Sequence, residues 1–372
     1  MNDAGAGGKG LIVLAAGGTG GHLFPAQALA EALTARGYGT LLMTDARGMT
    51  WRERFPGEVM RIPSATVTPG RPWWVPVQVF TLLRGFLKAR GFLKGAMPLA
   101  VAGFGGYPSV PPLFAAQHLR IPTLLHEQNA VMGRANRFLA RRASAIATSF
   151  PKVTGLDGAL QKKATFTGNP VRAAVLAAAD APYEPPEEAD APFHLLIFGG
   201  SQGARFFSEM IPEVIAALPS AVRRHLIITQ QCRPEDLDSV REAYARLEVY
   251  ATLAPFFDDM PQRMAQAHLV IARAGASTVA ELAVIGRPAI LVPLPHALDN
   301  DQLRNARAFS EAGAGWLMRQ KEITAEKLAA LITRLRYAPA DLRAAHAAAK
   351  TLARPDAASR LADIVEELAL RV

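Results

Sequence analysis

The first stretch of the chain that could do chemistry is a glycine-rich turn that ends in a histidine. Residues 16–22 read Ala-Gly-Gly-Thr-Gly-Gly-His, and they follow an apolar, β-forming run at residues 10–15. Residues 24–36 are rich in Ala and Leu and stop at Gly37, which predicts a helix. Glycines let a ligand approach the main chain closely, and the unpaired N–H groups at a helix start attract anions. The stretch predicts a strand, an anion-binding turn and a helix, with His22 at the mouth of the turn.

The spacing of these glycines fits neither common nucleotide-binding motif. A dinucleotide-binding Gly-x-Gly-x-x-Gly that starts at Gly18 needs a glycine at position 23, where the chain has Leu23. A P-loop needs Lys and then Ser or Thr after its last glycine, and the chain has neither there. A tight turn whose histidine merely begins the helix stays open as the alternative.

The composition limits the class of protein and the kind of partner. A chain of 372 residues, half of them hydrophobic, is expected to form two globular domains. The net charge of +9 favours an anionic partner, for which a nucleic acid, an acidic membrane and a phosphorylated substrate all qualify. Cys232 is the only cysteine, so no intrachain disulfide can form. We expect a cytoplasmic protein, because the N-terminus does not look like a signal peptide and no apolar run is long enough to span a membrane.

A long acid-free region is typical of an element that lies on a membrane surface. Between Glu58 and Glu127 there is no Asp or Glu, although the region holds seven Arg and Lys residues. Apolar side chains recur within it at helical spacing, and two adjacent tryptophans precede them, which suits a lipid headgroup layer. Packing of the same stripe against a sheet is the alternative. We expect a membrane patch, whose members are Trp73, Trp74, Val79, Leu83, Phe86, Arg84 and Lys88.

Two other polar stretches follow predicted strands of the first half. Gly-Phe-Gly-Gly-Tyr-Pro at residues 103–108 follows a strand at 99–102, and His-Glu-Gln-Asn at residues 126–129 follows a strand at 123–125. Ligands of open α/β sheets bind beyond the carboxyl ends of the strands. We therefore expect residues 17–22 and these two stretches to face one crevice.

The second half repeats the opening pattern. A strand at residues 194–198 precedes Gly-Gly-Ser-Gln-Gly-Ala at 199–204, and a strand at 269–272 precedes Arg-Ala-Gly-Ala-Ser-Thr-Val-Ala-Glu at 273–281. The second turn opens a helix whose start suits a diphosphate. Glu281 lies one turn further, where a carboxylate can bind a ribose diol. A plain surface glutamate is the alternative.

The repeat predicts an α/β protein of two similar, doubly wound domains that face each other across a cleft. The change of domain falls near residues 168–172. We expect an N-terminal domain of residues 1–170 and a C-terminal domain of residues 171–349. A C-terminal helix at residues 350–372 is expected to cross back onto the first domain.

Six motifs in this order resemble the MurG family of glycosyltransferase family 28, nearly from end to end of the chain. They are residues 17–22, 104–107, 126–129, 168–172, 199–204 and 273–281. The resemblance implies a GT-B fold, with two Rossmann-like domains, the first for the acceptor and the second for the UDP-sugar. It implies an inverting, peripheral-membrane enzyme that moves N-acetylglucosamine from UDP-N-acetylglucosamine to the 4-hydroxyl of the muramoyl sugar of lipid I. Lipid I is undecaprenyl-pyrophosphoryl-N-acetylmuramoyl-pentapeptide, and the product is lipid II, for peptidoglycan synthesis.

The resemblance also implies which residues bind the donor. The backbone at Phe257 would meet the uracil, and Glu281 would bind the ribose. Gln302 matches one of two glutamines that contact the sugar hydroxyls, whereas Asp301 stands in place of the other, in a loop one residue longer. The other donor contacts that we expect are Arg172, Ser201, Thr19, Gly20, Gly21, Asn129 and Ala276.

The implied transfer needs a base at the acceptor hydroxyl and stabilisation of the charge on the departing UDP. His22 is the candidate base because the ordinary imidazole pKa is about 6.5. His126, Glu127 and a purely structural role for His22 are the alternatives. We expect no metal ion and no cofactor, although Asp258-Asp259 and Asp299-x-Asp301 look like metal-binding pairs. Acceptor contacts are expected from Gly17, Gly18, Gly105, Gly106, Tyr107, His126 and Glu127.

Other proteins share parts of this pattern. A GT-B enzyme with another acceptor, such as a macrolide or diacylglycerol, would keep the donor motifs, and a UDP-N-acetylglucosamine epimerase would keep the fold. A nucleic-acid-binding protein would match the charge but not the six motifs. We expect the chain to bind anionic lipids at the cytoplasmic face of the bacterial inner membrane, and to bind no nucleic acid.

Overall fold

The computed structural model describes residues 8–65, 73, 75–295 and 297–371, with the backbone alone at residues 201–204 and 298. The chain forms two compact units, of which unit 1 is Met1–Arg172 with Arg354–Val372 and unit 2 is Ala173–Ala353. Each unit contains one parallel β-sheet. Two parallel sheets with intervening helices confirm the predicted fold class.

Unit 1 is built on a seven-stranded parallel sheet. Its strands are β1 (Leu11–Ala15), β2 (Gly39–Thr44), β3 (Glu58–Arg61), β4 (Ala100–Gly103), β5 (Thr123–Glu127), β6 (Ala145–Thr148) and β7 (Ala164–Phe166). Its first helices are α1 (Gly20–Ala35), α2 (Val75–Ala96), α3 (Val110–His118), α4 (Arg134–Leu139) and α5 (Gly158–Gln161). Leu14 of β1 pairs with Leu42 of β2 and with Ala102 of β4. The central strands are apolar throughout because both faces of the sheet are covered.

Unit 2 is built on a six-stranded parallel sheet. Its strands are β8 (Phe193–Phe198), β9 (Leu226–Gln231), β10 (Tyr250–Ala254), β11 (Leu269–Ala272), β12 (Ala289–Leu291) and β13 (Gly315–Leu317). Its helices are α6 (Ala173–Ala178), α7 (Gly200–Ala217), α8 (Ser220–Arg223), α9 (Leu237–Arg246), α10 (Met260–Gln266), α11 (Ala276–Ile285), α12 (Asp301–Glu311), α13 (Ala325–Arg336) and α14 (Pro339–Leu352). The last helix, α15 (Ala357–Ala369), belongs to unit 1.

The order of the strands places the glycine-rich turns at one point in each sheet. The first sheet runs β3-β2-β1-β4-β5-β6-β7, and the second runs β10-β9-β8-β11-β12-β13. The direction of winding reverses between β1 and β4 in the first sheet and between β8 and β11 in the second. Loops on either side of such a reversal diverge and leave a crevice at the carboxyl ends of the strands. Four of the six sequence motifs, at residues 17–22, 104–107, 199–204 and 273–281, follow β1, β4, β8 and β11.

Helix α15 completes the core of unit 1 beside α1. Leu361 and Val365 are fully buried in the same apolar cluster as Leu29 and Leu33. At the edge of the contact, Arg36 Nη1 donates to Asp363 Oδ1 at 2.7 Å and to Glu366 Oε2 at 2.6 Å. Apolar burial rather than these half-exposed ion pairs therefore holds the helix in place.

Truncation of one buried leucine tests this contact. We expect Leu361→Ala to lower the free energy of unfolding of unit 1 by about 2–5 kcal/mol, because it leaves a cavity in a closed core. Leu370→Ala is the matched control, since Leu370 is 85% exposed at the end of the same helix. Hydrogen exchange of the β1 and β4 amides would report on unit 1 separately from unit 2. Equal effects of the two variants would contradict the packing role.

Two element boundaries differ from the sequence prediction. Strand β5 continues to Glu127, so His126 and Glu127 lie inside the strand instead of beyond it. Helix α1 begins at Gly20, ahead of the predicted start at residue 24. Helix α2 also runs for 22 residues, through three glycines that would weaken it in isolation, Gly85, Gly91 and Gly95. At Gly85 the glycine is required, because a Cβ there would lie 2.1 Å from the carbonyl oxygen of Pro63.

Candidate active site

The candidate site of unit 1 is built on the ends of β1, β4 and β5, which are neighbours in the sheet. The imidazole of His22, in the first turn of α1, lies among three glycines. A Cβ at position 17 would lie 3.3 Å from His22 Cδ2, one at 105 would lie 3.5 Å from Cε1, and one at 106 would lie 3.4 Å from Nε2. Gly105 and Gly106 also have φ angles of +78° and +74°, which favour glycine. The glycines of two loops therefore make room for this one side chain.

The surroundings of His22 keep its imidazole neutral. Its Nδ1 lies 2.9 Å from Oε1 of Gln128, which directly follows β5. Burial lowers the pKa of His22 below 6.5, and the positive charge of Arg47 lowers it further, while hydrogen bonding with Gln128 and with the backbone of Phe104 acts in the opposite direction. A neutral imidazole with one nitrogen engaged can accept a proton at the other.

His126 and Glu127 do not reach the surface of this site. His126 is 1% exposed, its Nε2 lies 3.1 Å from the carbonyl oxygen of Gly168, and burial lowers its pKa to about 4. Glu127 is also buried, which raises its pKa. Its oxygens accept hydrogen bonds from the backbone of Asn129 at 3.0 Å and Gly133 at 2.9 Å, and from the side chain of Asn136. This burial speaks against the prediction that the two side chains contact an acceptor, whereas the side chain of His22 is only half-buried.

The other residues of the first glycine turn make contacts within unit 1. A Cβ at Gly18 would lie 2.2 Å from Asp45 Oδ1, so Gly18 packs against the loop after β2. The N–H of Thr19 donates to the carbonyl of Gly17 at 2.9 Å, and the carbonyl of Thr19 accepts from the N–H of His22 at 3.0 Å. Gly20 and Gly21 form the start of α1. The place where this loop can meet an anion is thus the helix start.

Arg172 brings a positive charge to that helix start. Its Cζ lies 4.2 Å from the ring centroid of Phe24, in α1. The same ring faces Gly20, where a Cβ would lie 3.0 Å from Phe24 Cε2. Sequence reasoning missed Phe24, because the local sequence does not show whether a phenylalanine in this helix packs in the core or against an arginine. Tyr107 and Asn129 stand at the ends of the two neighbouring strands, in the turns that follow β4 and β5.

The donor residues expected in unit 2 lie at the ends of β8 and β11, which pair directly. Helix α7 begins at Gly200 and includes Ser201, whose side chain lies outside the described residues. Helix α11 begins at Ala276, and Glu281 within it is 7% exposed, so the plain surface interpretation of Glu281 is wrong. Phe257 is buried as well, beneath the guanidinium of Arg263 at 4.3 Å.

Asp301 and Gln302 open α12 in unit 2. Oε1 of Gln302 accepts from the N–H of Leu294 at 2.9 Å, which leaves its NH2 group to donate. Asp301 Oδ1 accepts from the N–H of Gln302, and burial raises the pKa of Asp301. Of the pairs that looked like metal ligands, Asp259 is bound by Arg263 at 2.7 Å. Within the described ranges, no three His, Cys, Asp or Glu side chains gather in a way that would hold a metal ion.

The exposed face of α2 is apolar, as predicted for a membrane patch. Some of the exposed apolar residues are not the ones that the sequence predicted. Val79 is 53% and Leu83 50% exposed, as the patch requires, and Trp73 is exposed too, whereas Trp74 lies outside the described residues. Phe86 instead packs inwards on Phe114, with 5.6 Å between ring centroids, which corrects its assignment to the patch. Sequence reasoning missed four exposed apolar residues of α2, namely Val75, Val77, Phe80 and Leu87. None of the described helices combines the length and the apolarity needed to cross a bilayer.

A basic cavity of about 620 Å³ lies beside this face, at the carboxyl ends of β2 and β3. Its lining includes one carboxylate, Asp45, which accepts from the N–H of Gly48 and pairs with Arg47 at 2.9 Å. The Nζ of Lys88 donates to the carbonyl of Arg61, so the lysine lies over the end of β3. The cations that line the cavity are Arg47, Arg61, Arg84 and Lys88.

Comparisons with known proteins agree over both halves of the chain. The glycosyltransferase family 28 N-terminal domain matches residues 12–148, and the glycosyltransferase family 28 C-terminal domain matches residues 194–361. A relative from Methylobacterium nodulans is 54% identical over 364 residues, which are 97% of this chain and 97% of the relative. A relative from Allorhizobium ampelinum is 51% identical over 362 residues, which are 97% of this chain and 96% of the relative. Both are named UDP-N-acetylglucosamine–N-acetylmuramyl-(pentapeptide) pyrophosphoryl-undecaprenol N-acetylglucosamine transferase.

A solved structure agrees with the relatives. The crystal structure of MurG from Acinetobacter baumannii superposes with a TM-score of 0.77 at 31% identity, over 96% of this chain and 99% of that one. The similarity confirms the fold that the motifs predicted, and it confirms the resemblance to the MurG family.

Proposed function

We infer that this chain, which belongs to glycosyltransferase family 28, transfers N-acetylglucosamine from UDP-N-acetylglucosamine to lipid I and so forms lipid II. The observation that carries this conclusion is the identity of about half of all positions with named transferases over almost the whole of both chains. The alternatives, another acceptor or an epimerase, are not favoured by relatives of this similarity.

The residues of unit 1 support a single displacement at the sugar carbon. The acceptor 4-hydroxyl oxygen forms a bond to C1 of N-acetylglucosamine while the bond from C1 to UDP breaks, and the hydroxyl proton passes to Nε2 of His22. Arg172 and the start of α1 offer positive charge to a diphosphate. In unit 2, Glu281 is assigned to the ribose, and the start of α11 to a donor phosphate. This division of roles between the units is part of the proposal.

A transfer assay tests the reaction. The purified chain is incubated with labelled UDP-N-acetylglucosamine and lipid I, and with UDP-N-acetylgalactosamine as the matched donor. We expect lipid-linked product from the first donor and little from the second. Binding of UDP-N-acetylglucosamine without lipid product would contradict lipid I as the acceptor, whereas 2-epimerised UDP-sugar without any acceptor would contradict the transferase.

We also propose that unit 1 binds the surface of an anionic membrane through α2. Val77, Phe80 and Leu87 extend the exposed apolar face, and it lies next to a cavity with four cations and a single, already paired carboxylate. Apolar side chains would enter the headgroup layer while the cations meet lipid phosphates. Attachment at the cytoplasmic face of the inner membrane follows from the proposed substrate.

Two substitutions on α2 test the membrane contact. We expect Leu83→Gln with Leu87→Gln to weaken binding to phosphatidylglycerol vesicles about tenfold or more, because two apolar side chains no longer leave water. The control is Leu176→Gln, since Leu176 is an exposed leucine in unit 2. Vesicle flotation at low and high salt separates the apolar part of the binding from the charged part. Unchanged flotation of the double variant would contradict the patch.

A further inference from the structure

We propose that Gln128 is a positioning residue that holds His22 in the one tautomer a general base requires. The side-chain amide of Gln128 touches two groups. Its Nε2 lies 2.9 Å from the carbonyl oxygen of Phe104, and its Oε1 lies 2.9 Å from Nδ1 of His22. The proposal rests on the proposed function, because it takes His22 as the base of the transfer.

The orientation of the amide follows from what each partner can do. A backbone carbonyl only accepts hydrogen bonds, so the NH2 end of Gln128 must face Phe104. The oxygen end then faces His22, and an amide oxygen also only accepts. Nδ1 of His22 must therefore carry the proton. Nε2 is left with its lone pair, and it is the nitrogen beside Gly106.

The residues behind this hydrogen bond are buried and follow paired strands. Gln128 is 3% exposed, and Phe104 is fully buried in the core of unit 1. The two residues directly follow β5 and β4, which pair with each other. The orientation of the His22 ring is thus set by residues at the ends of two strands as well as by its own helix. Bonding of the second nitrogen is the usual means by which proteins select a histidine tautomer.

The charged groups around His22 keep the ring neutral, so that a tautomer can be selected. Arg47, from the loop after β2, disfavours the imidazolium form. His126, from β5, has a pKa of about 4 and is neutral at physiological pH. No carboxylate contributes to the pKa of His22 in the described part of unit 1.

The test compares Gln128→Met with the matched control Gln117→Met. Gln117 also donates to a backbone carbonyl in unit 1, that of Leu139 at 3.0 Å, but it does not contact His22. We expect ¹⁵N NMR of wild-type His22 to show a proton on Nδ1, and Gln128→Met to admit the Nε2-protonated form. We further expect Gln128→Met to lower kcat about 10- to 100-fold with the KM for UDP-N-acetylglucosamine nearly unchanged, since ground-state donor contacts remain. Gln117→Met should change neither quantity.

A third variant restores the acceptor. Gln128→Glu returns an oxygen to Nδ1 but loses the NH2 donor to the carbonyl of Phe104. Its negative charge raises the pKa of His22, so we expect kcat to recover in part at high pH, with its acid limb about one pH unit or more higher. Wild-type His22 protonated at Nε2, or a Gln128→Met variant that keeps the Nδ1 proton, would overturn the proposal. A variant with an altered tautomer and normal kcat would support the hydrogen-bond assignment and instead contradict His22 as the base.

Discussion

His22→Ala is expected to lower kcat for transfer to lipid I by about 10²- to 10⁴-fold, the usual contribution of a general base. The expectation rests on accessibility as much as on chemistry. His22 is half-buried with its Nε2 beside Gly106, whereas His126 and Glu127 are enclosed in β5. The dissociation constant for UDP-N-acetylglucosamine, measured by titration calorimetry, should stay unchanged, because the expected uridine contacts lie in unit 2.

The pH profile adds a second readout for His22. Burial holds the pKa of His22 below 6.5, so the base loses its lone pair only at a pH lower than that. The wild-type kcat should therefore decline on the acid side below pH 6.5, and the residual rate of His22→Ala should lack this limb. His118→Ala is the control, since His118 is an exposed histidine of the same unit. Near-normal turnover of His22→Ala with intact donor binding would leave the ring only a structural role among the glycines.

The positions of the turns could be predicted because they depend on local sequence. A short apolar run followed by glycines and an amphipathic stretch predicts strand, turn and helix, and residues 16–22, 103–106, 199–204 and 273–276 occupy such positions. That these turns meet at the reversal points of two sheets follows from the rules of doubly wound topology. Burial of Glu281 could not be seen in the same way, since its placement depends on how α11 packs within unit 2.

The pairs that shape the site of unit 1 join residues far apart in the chain. Gln128 lies inside a recognised motif, yet its partners Phe104 and His22 come from two other strand ends. Arg172 meets Phe24 across most of the length of unit 1. No periodicity or spacing encodes such contacts, because they depend on which strands become neighbours.

The inward position of Phe86 on α2 could not be predicted for a different reason. Helical spacing groups Phe86 with Val79 and Leu83 on the exposed patch, but Phe86 packs inwards on Phe114. The fully buried positions of α2 are Gly85, Ala89 and Leu93. Gly85 is buried because α2 approaches Pro63 too closely for a Cβ. Larger side chains such as Phe80 and Leu87 are therefore left in solvent. Close packing at small residues thus leaves room for only some of the apolar side chains of α2 inside, and the others remain exposed.

Glu281→Ala is expected to raise the KM for UDP-N-acetylglucosamine by about 10- to 100-fold, since a carboxylate that accepts from a ribose diol contributes about 1.5–3 kcal/mol per charged hydrogen bond. The effect on kcat should be smaller, because the ribose is remote from the reacting carbon and is held alike in the ground and transition states. Glu311→Ala, at the exposed end of α12, is the control for loss of charge in unit 2.

The 2′-deoxy analogue of the donor separates a ribose contact from a general loss of structure around Glu281. Wild-type protein should bind the deoxy donor more weakly than the ribo donor, because a buried acceptor then lacks its hydroxyl. Glu281→Ala should bind the two donors with nearly equal affinity, since the hydroxyl has lost its partner. If Glu281→Ala discriminates between the donors as strongly as the wild type, the ribose is read by another group. The start of α11 would then contribute to donor binding through its backbone N–H groups. Glu281 would affect donor binding only indirectly, because its buried side chain helps to pack α11 within unit 2.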